Sequence, residues 1–129
     1  MRKLTKTAEE IMQIIWALGP CTVSDIRQYI HEKLGLKEPP HSTVSTIVRA
    51  LESKGFLSHK AYGRTYEYHP LVSKETYSKS SLKSLIRNYF GGSVDQMVSF
   101  LVKKEELSLE ELSELIKKLE NEDNSQDHD

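Results

Sequence analysis

Apolar residues recur along this chain at the spacing of helix faces, with one interruption. Ala8, Ile11, Ile15 and Leu18 form a first stripe, headed by Thr7 and Glu10 in the capping-box pattern and closed by Gly19-Pro20. Thr22-Val23-Ser24-Asp25 opens a second helix in the same way, with Ile26, Tyr29, Ile30 and Leu34 on one face. Gly35 closes that helix, and Pro39-Pro40 hold the connection after it extended. Over residues 41–54, Val44, Ile47, Val48 and Leu51 make a third stripe at i, i+3, i+4, i+7, stopped by Lys54-Gly55. The period then changes. Residues 56–62 and 65–69 are short runs rich in aromatic and β-branched side chains, joined by a turn at Gly63-Arg64. Three short helices followed by a hairpin are the parts of a winged helix-turn-helix.

Beyond Pro70 the pattern is helical only. Ser73 precedes a helix carrying Leu82, Leu85, Ile86, Tyr89 and Phe90, which Gly91-Gly92 stops. Ser93 precedes Val94, Met97, Val98, Leu101 and Val102, and Ser108 with Glu111 heads Leu109, Leu112, Leu115, Ile116 and Leu119. The expected fold class is mainly α with a small β-wing: a winged-helix domain over residues 1–72, a helical region over 73–120 and a disordered acidic tail over 121–129. A helical region this short makes a thin core alone, so its stripes are expected to close against a second copy. Leu82, Leu85, Ile86, Tyr89, Met97, Leu101, Leu112, Leu115, Ile116 and Leu119 are the expected dimerisation residues. Packing of these stripes back onto the winged helix within a monomer is the alternative.

The third helix carries the candidate chemistry. Opposite its apolar stripe lie Ser42, Ser45, Thr46, Arg49 and Ser53, with Thr43 on the flank. Exposed helix faces ordinarily hold long Glu and Lys side chains, the stronger helix formers. Small hydroxyls around one guanidinium can instead approach a phosphate or base edge closely, and Arg49 can donate two parallel hydrogen bonds to guanine. Lys60 and Arg64 sit near the hairpin turn, where a wing reaches phosphates. Double-stranded DNA is therefore the expected partner, with Tyr66 and Tyr68 as packing residues beneath the wing. A winged helix serving as a protein–protein module is the rival reading, although such an interface draws on aromatic and large apolar anchors, and this face shows hydroxyls.

Charge qualifies the DNA reading. The net charge of −1 counts against a nucleic-acid binder. Its distribution answers in part: residues 1–72 carry ten Lys and Arg against seven Asp and Glu, and residues 73–129 carry eight against twelve, so the winged-helix half is the cationic one. A surplus of +3 is modest, so affinity is expected to rely on bivalent binding and to fall steeply with salt. The longest apolar run, residues 14–18, is far short of a bilayer span, and the N-terminus lacks the apolar core of a signal peptide, so a cytoplasmic protein is expected. The lone Cys21 has no partner at metal-ligand spacing, and His31, His41, His59, His69 and His128 are scattered. His59 and His69 could meet on adjacent strands, but they lack a third ligand. Without a phosphate loop or a nucleophile–base pair, no enzyme, metal, cofactor or small-molecule substrate is expected.

These residues resemble the penicillinase-repressor family of bacterial transcriptional regulators. The likeness runs from Leu4-Thr5-Lys6-Thr7-Ala8-Glu9 through Ile15-Trp16, Ser42-Thr43-Val44-Ser45-Thr46, Leu51 and Lys54-Gly55-Phe56-Leu57. It continues through Gly63-Arg64, Tyr66 and Tyr68-His69-Pro70-Leu71-Val72-Ser73 and resumes at Phe90-Gly91-Gly92-Ser93 and Leu107-Ser108-Leu109-Glu110-Glu111-Leu112. The resemblance implies a homodimer that represses genes from palindromic operators, its third helix in the major groove and its wing on the backbone. Ser42, Thr43, Ser45, Thr46 and Arg49 then contact groove and phosphate, and Lys60 and Arg64 belong to the wing. In the antibiotic-resistance branch, a membrane sensor with a zinc-protease domain senses β-lactam, and the repressor is cut in its dimerisation region before a phenylalanine. The aligned bond here is Ser99–Phe100, with serine where those repressors carry asparagine. A related copper-responsive branch has a cysteine-rich tail, which residues 121–129 lack.

Overall fold

The computed structural model describes residues 2–104 and 107–126, with side chains as far as Asn121. The chain runs α1 (Lys6–Leu18), α2 (Val23–Glu32), α3 (His41–Ser53), β1 (Leu57–Tyr62), β2 (Thr65–Pro70), α4 (Lys74–Phe90), α5 (Val94–Lys103) and α6 (Leu109–Gln126). This is the expected order of three helices, a wing and further helices. It divides into two compact units, residues 1–81 and 82–129.

In the first unit the three stripes converge. Met12, Ile15 and Ile26 have no exposed surface, and Val44, Val48, Leu51 and Leu57 are buried with them. Burying each such side chain contributes about 1.5–3 kcal/mol, which holds short helices that would be marginal alone. Strands β1 and β2 pair antiparallel in register from Leu57 opposite Pro70 to Tyr62 opposite Thr65. Cys21 and Tyr68 exchange backbone hydrogen bonds of 2.9 and 2.7 Å, fastening the base of the wing to the start of α2. Gly63, with φ of 63°, makes the hairpin turn in a conformation that side chains disfavour.

Local details depart from the sequence expectations. Thr5, not Thr7, caps α1, its Oγ1 accepting from the Ala8 N–H at 3.2 Å. Leu4 is buried and donates its N–H to the Tyr77 hydroxyl at 3.2 Å, which fixes the chain just before the helix and draws its start forward. The Thr22–Asp25 box forms with both of its hydrogen bonds. Leu34 leaves the expected α2 stripe, because the helix ends at Glu32 and Leu34 lies exposed in the connection. Tyr77 sits in the first turns of α4, beyond the expected domain end at residue 72, yet it is buried in the first unit. Its ring lies 5.9 Å from that of Trp16 and 5.8 Å from that of Phe56. The Trp16 indole N–H donates to the Val72 carbonyl at 2.9 Å, closing the same corner.

The second unit is built differently. Ser93 and Ser108 cap α5 and α6 as expected, accepting from the Gln96 and Glu111 N–H groups at 3.2 and 3.0 Å. Gly91 and Gly92, with φ of 57° and 80°, end α4. Among the described residues from Leu82 onward, none is buried. Helix α6 continues through Gln126, past the point where a disordered tail was expected to begin, since extending a capped helix needs no apolar stripe. Residues 127–129, His128 among them, lie outside the described residues.

Candidate nucleic-acid interface

The polar face of α3 is free of the core. Val44, Val48 and Leu51 are buried and Ile47 half-buried, which turns Ser42, Thr46 and Arg49 to solvent and leaves Ser45 half-covered. The helix begins at Pro40 without a side-chain cap and has no acid in its first turn. No capping side chain or first-turn acid offsets the positive end of its dipole there, a setting suited to an anion. Thr46 donates its hydroxyl to the Ser42 carbonyl at 2.8 Å, which ties that group to the helix's own backbone.

The wing brings a second cation to this face. A cleft of about 320 Å³ is lined by Ser45 and Arg49 of α3, Arg64 and Thr65 of the hairpin tip, and Thr22 and Ser24 at the start of α2, with His41, Tyr66 and Tyr68. Three of the expected contact residues, Ser45, Arg49 and Arg64, thus meet around one space rimmed by hydroxyls. Ser42 and Thr46 lie on the open helix face outside it. Thr43 lines a different, apolar cleft with Ile11, Ile14 and Ile47. Lys60 stands across the ladder from Glu67, which offsets part of its charge.

The tyrosines divide. Tyr68 is buried, as packing requires, and its hydroxyl pKa is raised by burial and by the nearby Glu52, with the Arg49 guanidinium opposing. Tyr66 is largely exposed and stacks on His59, ring centroids 4.2 Å apart. A metal pair of His59 and His69 does not form. His59 opposes Tyr68 and His69 opposes Ser58, so strand alternation sends the two imidazoles to opposite faces of the ladder. No group of three metal-binding side chains occurs among the described residues. Cys21 is buried, its thiol pushed up to about 12 by burial and by Asp25 and Glu67, which removes it as a nucleophile.

Reasoning from sequence missed Glu52. At i+7 from Ser45 it lies on the reading face one turn past Arg49, and its carboxylate Oε2 is 2.6 Å from His59 Nδ1. The helical spacing could have exposed it; its partner on the wing could not be read locally.

In the second unit, the expected dimerisation residues Leu82, Leu85, Tyr89, Leu115, Ile116 and Leu119 are exposed, and Ile86, Met97, Leu101 and Leu112 are half-buried. A cavity of about 820 Å³ gathers Leu85, Tyr89, Phe90, Ser99 and Phe100. The Ser99–Phe100 bond lies inside α5, with the Phe100 ring 5.7 Å from that of Phe90. No helix among the described residues is long and apolar enough to cross a membrane.

Three helices around a filled core, followed by a two-stranded wing whose tip brings Arg64 to the cleft of Arg49, define a winged helix-turn-helix protein. The chain matches the family profile described as penicillinase repressor over residues 4–121. It belongs to that family, whose members are transcriptional repressors and not enzymes. It is 28% identical over 106 residues to the methicillin resistance regulatory protein MecI of Staphylococcus aureus (strain N315), covering 82% of this chain and 84% of that protein. It is 26% identical over 123 residues to the penicillinase repressor of Bacillus licheniformis, covering 93% and 94%. With the penicillinase repressor of Staphylococcus aureus it shares 24% identity over 106 residues, covering 82% of each.

Proposed function

We propose that this chain is a homodimeric transcriptional repressor that occupies near-palindromic operators, α3 entering the major groove and the wing resting on the backbone. The observation that carries this reading is the face of α3: small hydroxyls and Arg49, with Arg64 of the wing brought to the same cleft. In it, Ser42, Thr43, Ser45, Thr46 and Arg49 contact bases and phosphates, and Lys60 and Arg64 contact phosphates only. The exposed apolar side chains of α4–α6 support a second copy as their cover. Two reading heads then address two half-sites a whole number of helical turns apart and double the modest cationic surplus. Selection of duplexes from a randomised library by the full-length chain tests this. The expected winners carry inverted repeats bound by two chains, and winners with a single half-site bound by one chain would refute it.

Relief of repression is assigned to cutting at Ser99–Phe100 by a membrane sensor protease. The names of the relatives, drawn from penicillin and methicillin resistance, support a β-lactam as the signal; the bond itself is assigned from its place before Phe100. Because the bond is inside α5, the helix must open locally before a protease can take the backbone, so the cutting rate follows the opening equilibrium. Mass spectrometry of the chain recovered from cells exposed to a β-lactam should show a fragment ending at Ser99. An intact chain alongside derepressed genes would remove this part.

A further inference from the structure

A carboxylate on the reading face needs a physical reason. Glu52 is three residues after Arg49 and seven after Ser45, so it faces the same side as the residues assigned to DNA. Left bare, it would repel phosphate and work against Arg49. It is not bare: Glu52 Oε2 accepts from the His59 imidazole at 2.6 Å, and each side chain is only 30% exposed. His59, on β1, in turn packs against two rings of β2, stacked on Tyr66 at 4.2 Å and tilted against Tyr68 at 5.7 Å. Tyr68 is the residue whose backbone pairs with Cys21. The wing is thus anchored to the helices at one level of its ladder, through the Tyr68 backbone on β2 and the His59 side chain opposite it on β1. Lys60, the next residue, points to the opposite face of the ladder, across from Glu67.

We propose that Glu52 and His59 are positioning residues for operator binding, forming a latch that sets the wing against the recognition helix while masking the one carboxylate on the reading face. This rests on the assignment of α3 and the wing to DNA. The latch acts in two ways. It presents Arg49 and Arg64 at a preset separation, which lowers the ordering needed when the duplex arrives. It also occupies a charge that would otherwise face phosphate. The two members are therefore unequal: removing Glu52 loosens the wing but deletes a repulsive group, whereas removing His59 loosens the wing and uncovers that group.

The test uses the full-length chain and a duplex it selects from a randomised library, with affinity read as a function of salt. His59→Ala is expected to weaken binding by about tenfold and to flatten the salt slope, because an uncovered carboxylate cancels part of the phosphate neutralisation. Glu52→Ala should weaken it less, and Glu52→Gln, which keeps an acceptor without the charge, should bind at least as well as wild type. Adding His59→Ala to Glu52→Ala should change little, the signature of a coupled pair. His59→Gln retains a donor and should restore binding if His59→Ala fails to fold or to bind. Equal and additive losses for the two alanine variants would overturn the latch, and so would wild-type binding by His59→Ala. Arg49→Ala and Arg64→Ala run beside them. If both bind as wild type, the DNA surface is misassigned and the latch falls with it, whereas if both weaken and His59→Ala does not, only the latch falls.

Discussion

The two units of this chain spend similar apolar residues in opposite ways. In residues 2–81, the stripes of α1, α2 and α3 meet one another, and Met12, Ile15 and Ile26 are wholly enclosed. From Leu82 onward, the stripes of α4, α5 and α6 are as regular, yet no described side chain is buried, with Tyr89 79% and Leu109 70% exposed. The difference teaches that periodicity guarantees an apolar face but not an internal partner for it. A unit that fills its own core can present a polar reading surface. A unit that leaves its faces open is suited to receiving another chain, and the weak charge of the reading unit makes that partnership useful.

The contrast can be broken most sharply in the second unit. Replacing Leu115 and Leu119 by aspartate should give a monomer in sedimentation analysis and lower operator affinity by about 100-fold or more through lost bivalency. A variant that stays dimeric would place the interface elsewhere. In the first unit, Ile15→Ala should lower the free energy of unfolding in urea by about 2–5 kcal/mol while leaving assembly intact, because it empties space in a closed core. Arg49→Ala should lower operator affinity by about 1–3 kcal/mol and relax the preference at one base step, measured by gel shift against a set of single-base variants. Arg64→Ala should lower affinity evenly across sequences and reduce the salt slope by about 1, with Lys60→Ala weaker because Glu67 faces it in register.

The smallest effect belongs to Cys21. Its thiol titrates at about 12 instead of its ordinary 9.0, so the native chain should react with a thiol reagent at mildly alkaline pH only as fast as it unfolds. The folded state holds this proton more tightly than the unfolded chain. Its contribution to stability is therefore full below about 9 and is lost as pH rises toward about 12, following that same shift. Rapid labelling of the folded chain would contradict the enclosure of this corner of the first unit.

Much of the fold was legible because its signals are local. The Thr22–Asp25 cap, the turn at Gly63-Arg64 and the stop at Gly91-Gly92 each lie within a few residues and depend only on their own side chains and backbone. Failures came where a distant residue intervened. The capping-box pattern pointed to Thr7 for α1, and the burial of Leu4 with its hydrogen bond to Tyr77 moved the cap to Thr5. Tyr77 itself reads as part of a later helix and is drawn into the first core by Trp16 and Phe56. In the candidate site, the helix face was visible from spacing, but Glu52 was overlooked because its meaning depends on His59.

The sequence by itself determined the element order, the hydroxyl-lined face of α3 and the apolar stripes of the C-terminal helices, because a helix or strand displays its periodicity wherever it is placed. Only the tertiary structure decided that Arg64 shares a cleft with Arg49, that Glu52 is held by His59 and that His59 and His69 point apart. Those outcomes depend on how the wing docks on α3 and on the register of two strands, and both are set by packing between residues that no local period connects.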